Sequence, residues 1–298
     1  MKHHVLNSCR KLASQIILFG IGFSISYAQP TQPFFFVQLA DPQFGMYPLQ
    51  KDFHKERRNL SRAVEAINRL RPAFVVVCGD LVNRDGDEKQ IAAFKQTISK
   101  LDRSIPIYLV AGNHDVGNTP TPATLQDYRE VIGQDYYSFK QDGQRFVVLN
   151  SSLIKDPSRA PKEAVAQINW LQAVLDTVRN EHSSIIVFQH HPWFVKYPKE
   201  PNGYFNIPRK ARMKYLNLLE SSGVAFVFAG HLHANASGTY KSLKMITSGP
   251  VGMPLGMSPS GVRIVIVRPT KIEHTYYPLK NIPRRIDLSA DVGSTMHR

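Results

Sequence analysis

Ile105-Pro106-Ile107-Tyr108-Leu109-Val110 runs straight into Ala111-Gly112-Asn113-His114-Asp115. An apolar run of that length, rich in β-branched and aromatic residues and closed by a turn-forming glycine, reads as a buried strand with polar side chains at one end. The pattern recurs. Phe34–Leu39 ends in Ala40-Asp41-Pro42-Gln43, and Phe74–Cys78 in Gly79-Asp80 with Asn83 following. Ile185–Phe188 ends in Gln189-His190-His191-Pro192, and Val224–Phe228 in Ala229-Gly230-His231-Leu232-His233. Five of the 11 histidines fall at three of these strand ends. Ligands of α/β sheets bind at this edge. Capping or turn chemistry explains one such Asp or His, but not all five ends together.

Outward from these strands, Phe146–Leu149 and Val262–Val267 read as further buried strands. Leu60, Ala63, Val64 and Ile67 follow helical spacing, as do Ile168, Leu171, Leu175 and Val178. Helical patterns also cover Asp87–Leu101, Leu125–Ile132 and Pro208–Ser221, whereas Tyr197–Pro208 and Ser248–Gly261 are Gly/Pro-rich loops. Strands alternate with helices early, and the last third is strand after strand. The expected fold is a single mixed α/β domain in which sheet faces pack together under outer helices.

The chain has 298 residues, 43% hydrophobic and 20% charged, with 18 Gly, 20 Pro and two Cys. That composition excludes a disordered or collagenous chain, a disulfide scaffold and a Cys-rich metal module. Residues 1–28 read as a secretory signal peptide. Lys2, Arg10 and Lys11 precede the apolar Ile16–Phe23, and Ser26-Tyr27-Ala28 presents small residues for cleavage after Ala28. The apolar run is well short of the ~20 residues of a spanning helix, so no stable membrane span is expected after cleavage. The expected destination is the periplasm or the medium. Residues 29–280 form the domain, and 281–298 a peripheral tail. The net charge of +14 is spread along the chain without a nucleic-acid-binding motif.

Asp, Asn, Gln and neutral imidazole are oxygen and nitrogen donors suited to Mn, Fe, Zn or Co. A carboxylate such as Asp80 can bridge two cations, which together would clamp both the attacking and the leaving oxygen of an in-line displacement. The ordered set Asp41-Pro42-Gln43, Gly79-Asp80, Gly112-Asn113-His114-Asp115, His190 and Gly230-His231-Leu232-His233 resembles the calcineurin-like metallophosphoesterase superfamily, whose pattern is DxH, GDxx, GNH(D/E), a lone His and GHxH. The resemblance spans Pro33 to Leu279. Gly112 to Thr121 and Phe188-Gln189-His190 look like the subgroup of calcineurin-like phosphoesterase domain-containing proteins known as complete Ser/Thr phosphatase.

The resemblance implies a four-layer αββα sandwich and a centre of two divalent metal ions, Mn, Fe, Zn or Mg. Asp41, Gln43, Asp80 and His233 would hold the first, and Asp80, Asn113, His190 and His231 the second. Gln43 stands where most of the superfamily has His. Asn113 and His114 would contact the phosphate of a phosphorylated substrate. His114 would donate a proton to the leaving oxygen, and Asp115 would orient and polarise that imidazole. Tyr47, His54, Arg57, Trp193, Phe194, Tyr204 and Phe205 lie on loops that could line the approach. The expected function is an exported phosphomonoesterase, acting by attack of a metal-bound hydroxide and including phosphoprotein in its range. The alternatives are a phosphodiesterase or nucleotide hydrolase on the same centre, or a non-catalytic metal- and phosphate-binding envelope protein.

Overall fold

The structure, a computed structural model, describes residues 32–48, 52–181 and 185–289. The expected signal peptide and the end of the tail lie outside the described residues. In chain order the elements are β1 (Phe34–Leu39), α1 (His54–Leu70), β2 (Val75–Cys78), α2 (Glu88–Ile98), β3 (Ile107–Val110), α3 (Asn113–Val116) and α4 (Pro122–Val131). Then come β4 (Tyr137–Gln141), β5 (Gln144–Val148), α5 (Ser151–Lys155), α6 (Pro161–Glu181), β6 (Ile185–Phe188) and α7 (Arg209–Ser221). The chain closes with β7 (Val224–Ala229), β8 (Ala236–Tyr240), β9 (Leu243–Thr247), β10 (Gly261–Val267) and β11 (Ile272–Pro278).

Two sheets form, ordered β11-β10-β1-β2-β3 and β4-β5-β6-β7-β9-β8. β1, β2 and β3 run parallel, as do β5, β6, β7 and β9, while β10, β11, β4 and β8 pair antiparallel. Strand alternation sorts side chains between layers. Phe34 and Phe36 point between the sheets with Phe74, Val76, Phe146, Phe188 and Phe228, whereas Phe35, Val37 and Leu39 face Leu60, Val64 and Ile67 of α1. Val147, Ile185 and Val187 of the second sheet face Leu171 and Leu175 of α6 and Leu216 and Leu219 of α7. The architecture is therefore the four-layer αββα sandwich, a single α/β domain.

The layer between the sheets is aromatic, and Phe36 is its hub. Its ring stacks on Phe74 at 4.7 Å and meets Phe146, Phe188 and Phe228 edge-on at 5.8, 5.5 and 5.9 Å. These contacts lock the sheets face to face, so the C-terminal ends of β1 to β3 and of β6 and β7 meet on one edge. The described part of the tail is not free of the domain. Ile282, Ile286 and Leu288 pack on the outer layer of the first sheet, and Arg268 Nη1 donates to the Leu288 carbonyl at 2.6 Å.

Because Phe36 is fully buried and touches both sheets, Phe36→Ala should lower stability by about 3–5 kcal/mol. Denaturant unfolding followed by circular dichroism measures this. A loss below about 1 kcal/mol would contradict its position as the inter-sheet hub.

Candidate metal centre

The strand ends deliver their ligand-type side chains through strained turns. Asp41 (φ 49°), Gln43 (φ 39°), Asp80 (φ 50°), His231 (φ 69°) and His233 (φ 53°) all have left-handed backbones. Each such conformation costs an L-residue about 1–3 kcal/mol, and such residues cluster at functional sites. Glycines make room beside them. A Cβ on Gly112 would overlap the Asp80 carboxylate and amide, and one on Gly79 (φ 80°) would press on the His190 ring.

The result is a buried knot of donor atoms. Asp80 Oδ2 lies 3.2 Å from His190 Nε2, which is 3.0 Å from Asn113 Oδ1 and 3.1 Å from His231 Nδ1. His233 Nε2 lies 3.6 Å from Asp41 Oδ1, and the Asp41 carboxylate accepts the His231 amide N–H at 3.0 and 3.1 Å. Two metal-capable groups result, Asp80 with His190 and His231, and Asp41 with Asp80 and His233. Within each, the ligand atoms lie within 4.8 Å of one another. Asp80 belongs to both.

Three features fit this knot to cations. Donor separations near 3 Å equal the octahedral edge for bonds of about 2.1 Å. Each histidine also has one ring nitrogen on a backbone carbonyl: His190 Nδ1 on Cys78 at 2.9 Å, His231 Nε2 on Tyr204 at 3.1 Å and His233 Nδ1 on Met253 at 2.6 Å. A carbonyl only accepts, so that nitrogen keeps its proton and the other offers a lone pair to the knot. Finally, Gln43 Nε2 donates to Asn83 Oδ1 at 3.1 Å, while its Oε1 is buried without a hydrogen-bond partner among the described residues. An orphaned buried acceptor is costly unless something electropositive meets it.

The charges are strongly coupled. Burial pushes the Asp41 carboxyl up to about 6 despite the attraction of His233 and His190. Asp80 is just as buried, but the charge and hydrogen bond of His190 outweigh burial and hold its carboxyl well below the carboxylate range. Burial lowers His190 in turn, yet Asp80 prevails and raises it to about 9. Burial and the neighbouring His190 push His231 down to about 3, so its imidazole is neutral.

The remaining residues divide. The His114 amide donates to Asp80 Oδ1 at 2.9 Å, and its half-buried ring places Nδ1 2.8 Å from the Asn83 carbonyl. Here the structure differs from the role expected of Asp115. Its Oδ1 accepts the Leu81 and Val82 amides and its Oδ2 the Gly112 amide. Asp115 thus ties the His114 turn to the chain after β2, and Asn83 is the group that orients the imidazole. A backbone carbonyl has no residue-type signature, so the sequence pattern does not reveal it. His191 is buried against Ser151 Oγ, 3.0 Å from its Nδ1, outside the donor knot. Trp193 and Phe194 belong to the core of the second sheet, while His54 pairs with Asp52 and Arg57 with Gln96. Tyr204 and Phe205 do reach the centre, with rings 4.9 and 5.6 Å from His231.

His190 fixes the pH dependence of metal loading. Its pKa near 9 keeps it protonated in the metal-free site at pH 7, and a cation must displace that proton. Apparent metal affinity should therefore rise with pH, about tenfold per unit between pH 7 and 8. Competition with a chelator of known pH dependence measures the slope, and a flat profile would contradict a protonated His190.

The calcineurin-like phosphoesterase family profile matches residues 52–235, well over half of the chain. Serine/threonine-protein phosphatase CPPED1 of Homo sapiens is 39% identical over 270 residues, covering 85% of this chain and 86% of the relative. Among solved structures, a dimetal phosphatase from Danio rerio superposes with a TM-score of 0.57 at 20% identity, covering 82% of this chain and 99% of that one. Purple acid phosphatase PPD1 from yellow lupin superposes with 0.63 at 14%, covering 85% and 52%. At these identities the two structures bear on the fold alone. On the sequence matches, this chain belongs to the calcineurin-like phosphoesterase family and is a metal-dependent phosphoric ester hydrolase that uses two divalent cations.

Proposed function

We propose that the chain is an exported phosphatase that hydrolyses phosphomonoesters, phosphoproteins among them, at a dinuclear centre. The observation that carries the reading is the sharing of Asp80 between the two donor groups. Asp41, Gln43, Asp80 and His233 would hold one cation, and Asp80, Asn113, His190 and His231 the other. The monoester assignment draws on the relative named a serine/threonine-protein phosphatase, and export on the signal-peptide pattern of residues 1–28.

Two divalent cations held by these residues would supply Lewis acidity toward phosphoryl oxygen and a water nucleophile at neutral pH. The side chains do the rest. Asn113 directs Oδ1 into the donor knot and leaves Nδ2, 3.4 Å from the Tyr204 hydroxyl, to donate to a phosphoryl oxygen. The Asn83 carbonyl holds the proton on His114 Nδ1, so Nε2 is the atom that transfers a proton to the leaving oxygen. Asp115 sets the position of that imidazole through the backbone rather than through the ring.

Replacing His114 by Ala should lower kcat on phenyl phosphate, whose basic leaving oxygen needs a proton, by about 10²–10⁴-fold, with metal content by elemental analysis unchanged. An unaltered kcat would remove His114 from proton transfer. Wild-type protein should cleave p-nitrophenyl phosphate faster than bis-p-nitrophenyl phosphate, and the reverse order would replace the monoester reading with a diester one.

A further inference from the structure

Among the described residues, five of the seven exposed large hydrophobic side chains lie on two short loops: Tyr197, Tyr204 and Phe205 on one, Leu255 and Met257 on the other. Both loops reach the metal centre through backbone carbonyls. Tyr204 supplies the carbonyl that meets His231 Nε2, and Met253, two residues before Leu255, supplies the one that meets His233 Nδ1. At about 3.5 Å per residue, Leu255 stays within about 7 Å and Met257 within about 14 Å of Met253 along the chain.

The first loop is also built to be rigid. Lys155 Nζ donates to the carbonyls of Gly203, Tyr204 and Asn206 at 3.3, 2.7 and 2.7 Å. Arg212, fully buried, donates to those of Ile207, Pro198 and Glu200, all at 2.9 Å. The Glu200 carboxylate accepts the amides of Val195, Lys196 and Tyr197. The second loop starts at Gly252, whose amide donates to the Asp41 carbonyl and whose own carbonyl accepts from Ser260 Oγ at 2.6 Å. Charged and polar groups thus hold the first loop's backbone in place, so that it presents apolar side chains to water beside a strongly polar centre. Such a preformed backbone lowers the ordering cost of binding an apolar group.

We propose that these two loops form an apolar collar that selects phosphomonoesters carrying an apolar group next to the phosphate, Leu255, Met257, Tyr204 and Phe205 being its contact residues. The inference rests on the phosphomonoesterase reading and names the substrate class for that site. Hexyl phosphate would seat its chain on the collar, whereas ethyl phosphate is too short to do so. Both release primary alkoxides of similar basicity, so the ratio of their kcat/KM values reports contact rather than leaving-group reactivity.

Each methylene withdrawn from water is worth about fourfold, so partial seating of the chain predicts a hexyl-to-ethyl ratio of at least about tenfold. In the double variant Leu255→Ser/Met257→Ser, which leaves Tyr204 and Phe205 in place, the ratio should fall at least about threefold below the wild-type value. Val165→Ser, which removes an exposed apolar side chain on α6, serves as the control and should keep the wild-type ratio. Calorimetric binding of hexylphosphonate and ethylphosphonate, which cannot be hydrolysed, should show the same preference and the same loss. Turnover of both esters with a ratio near unity would overturn the collar and leave the phosphomonoesterase standing. Collar-dependent phosphonate binding without turnover of either ester would do the opposite. A preference that the double substitution leaves undiminished would also overturn the collar.

Discussion

The Asp80 carboxylate is the constraint around which the centre is built. One oxygen accepts the His114 amide and the other lies 3.2 Å from His190, so a single side chain ties the third strand's turn to the second sheet. It sits in a left-handed backbone against a glycine that leaves no room for a methyl group. Burial opposes its charge, and the charge and hydrogen bond of His190, helped by His114 and His231, keep the carboxylate ionised in the metal-free site. Buried charges are held by paired groups or by metal ions. The two cations of the family meet that need.

The rest of the fold holds this arrangement still. The aromatic layer centred on Phe36 sets the spacing of the sheets, and parallel strands bring their C-terminal ends to one edge. Five candidate ligands adopt strained backbone conformations there, a cost met by burial of the strands that precede them. Three backbone carbonyls then choose the histidine tautomers. Two of those carbonyls come from the loops that carry the exposed apolar residues, so the surface a substrate meets and the orientation of the ligands depend on the same backbone.

Much of this was legible in the residues. Phe34–Leu39 and Ile185–Phe188 are strands with the expected bounds, and each His, Asp or Asn of the metal set lies where its strand end predicts. Three of the four edge strands, β4, β8 and β11, were not legible, and neither was the interior β9. β4 and β8 are short and half-exposed, with mixed polar sequences, and β11 carries His, Glu and Thr among its apolar residues. Their signal lay in the connections. Asp142-Gly143, with φ of 46° and 79°, makes the tight β4–β5 turn that this residue pair favours. Asp115 shows another limit. An Asp next to a His suggests a contact between side chains, but the turn sends its carboxylate to three backbone amides. Side-chain identity reveals what can ligate, whereas backbone partners such as Asn83 and Tyr204 emerge only once the chain is folded.

The central claim is that one carboxylate holds two cations at this edge. Anomalous diffraction from crystals of manganese-loaded protein tests it most directly. The account predicts two peaks about 3.5–4 Å apart, flanking the Asp80 carboxylate, one beside Asp41 and His233 and the other beside His190 and His231. A single peak, or a pair that Asp80 does not bridge, would contradict it.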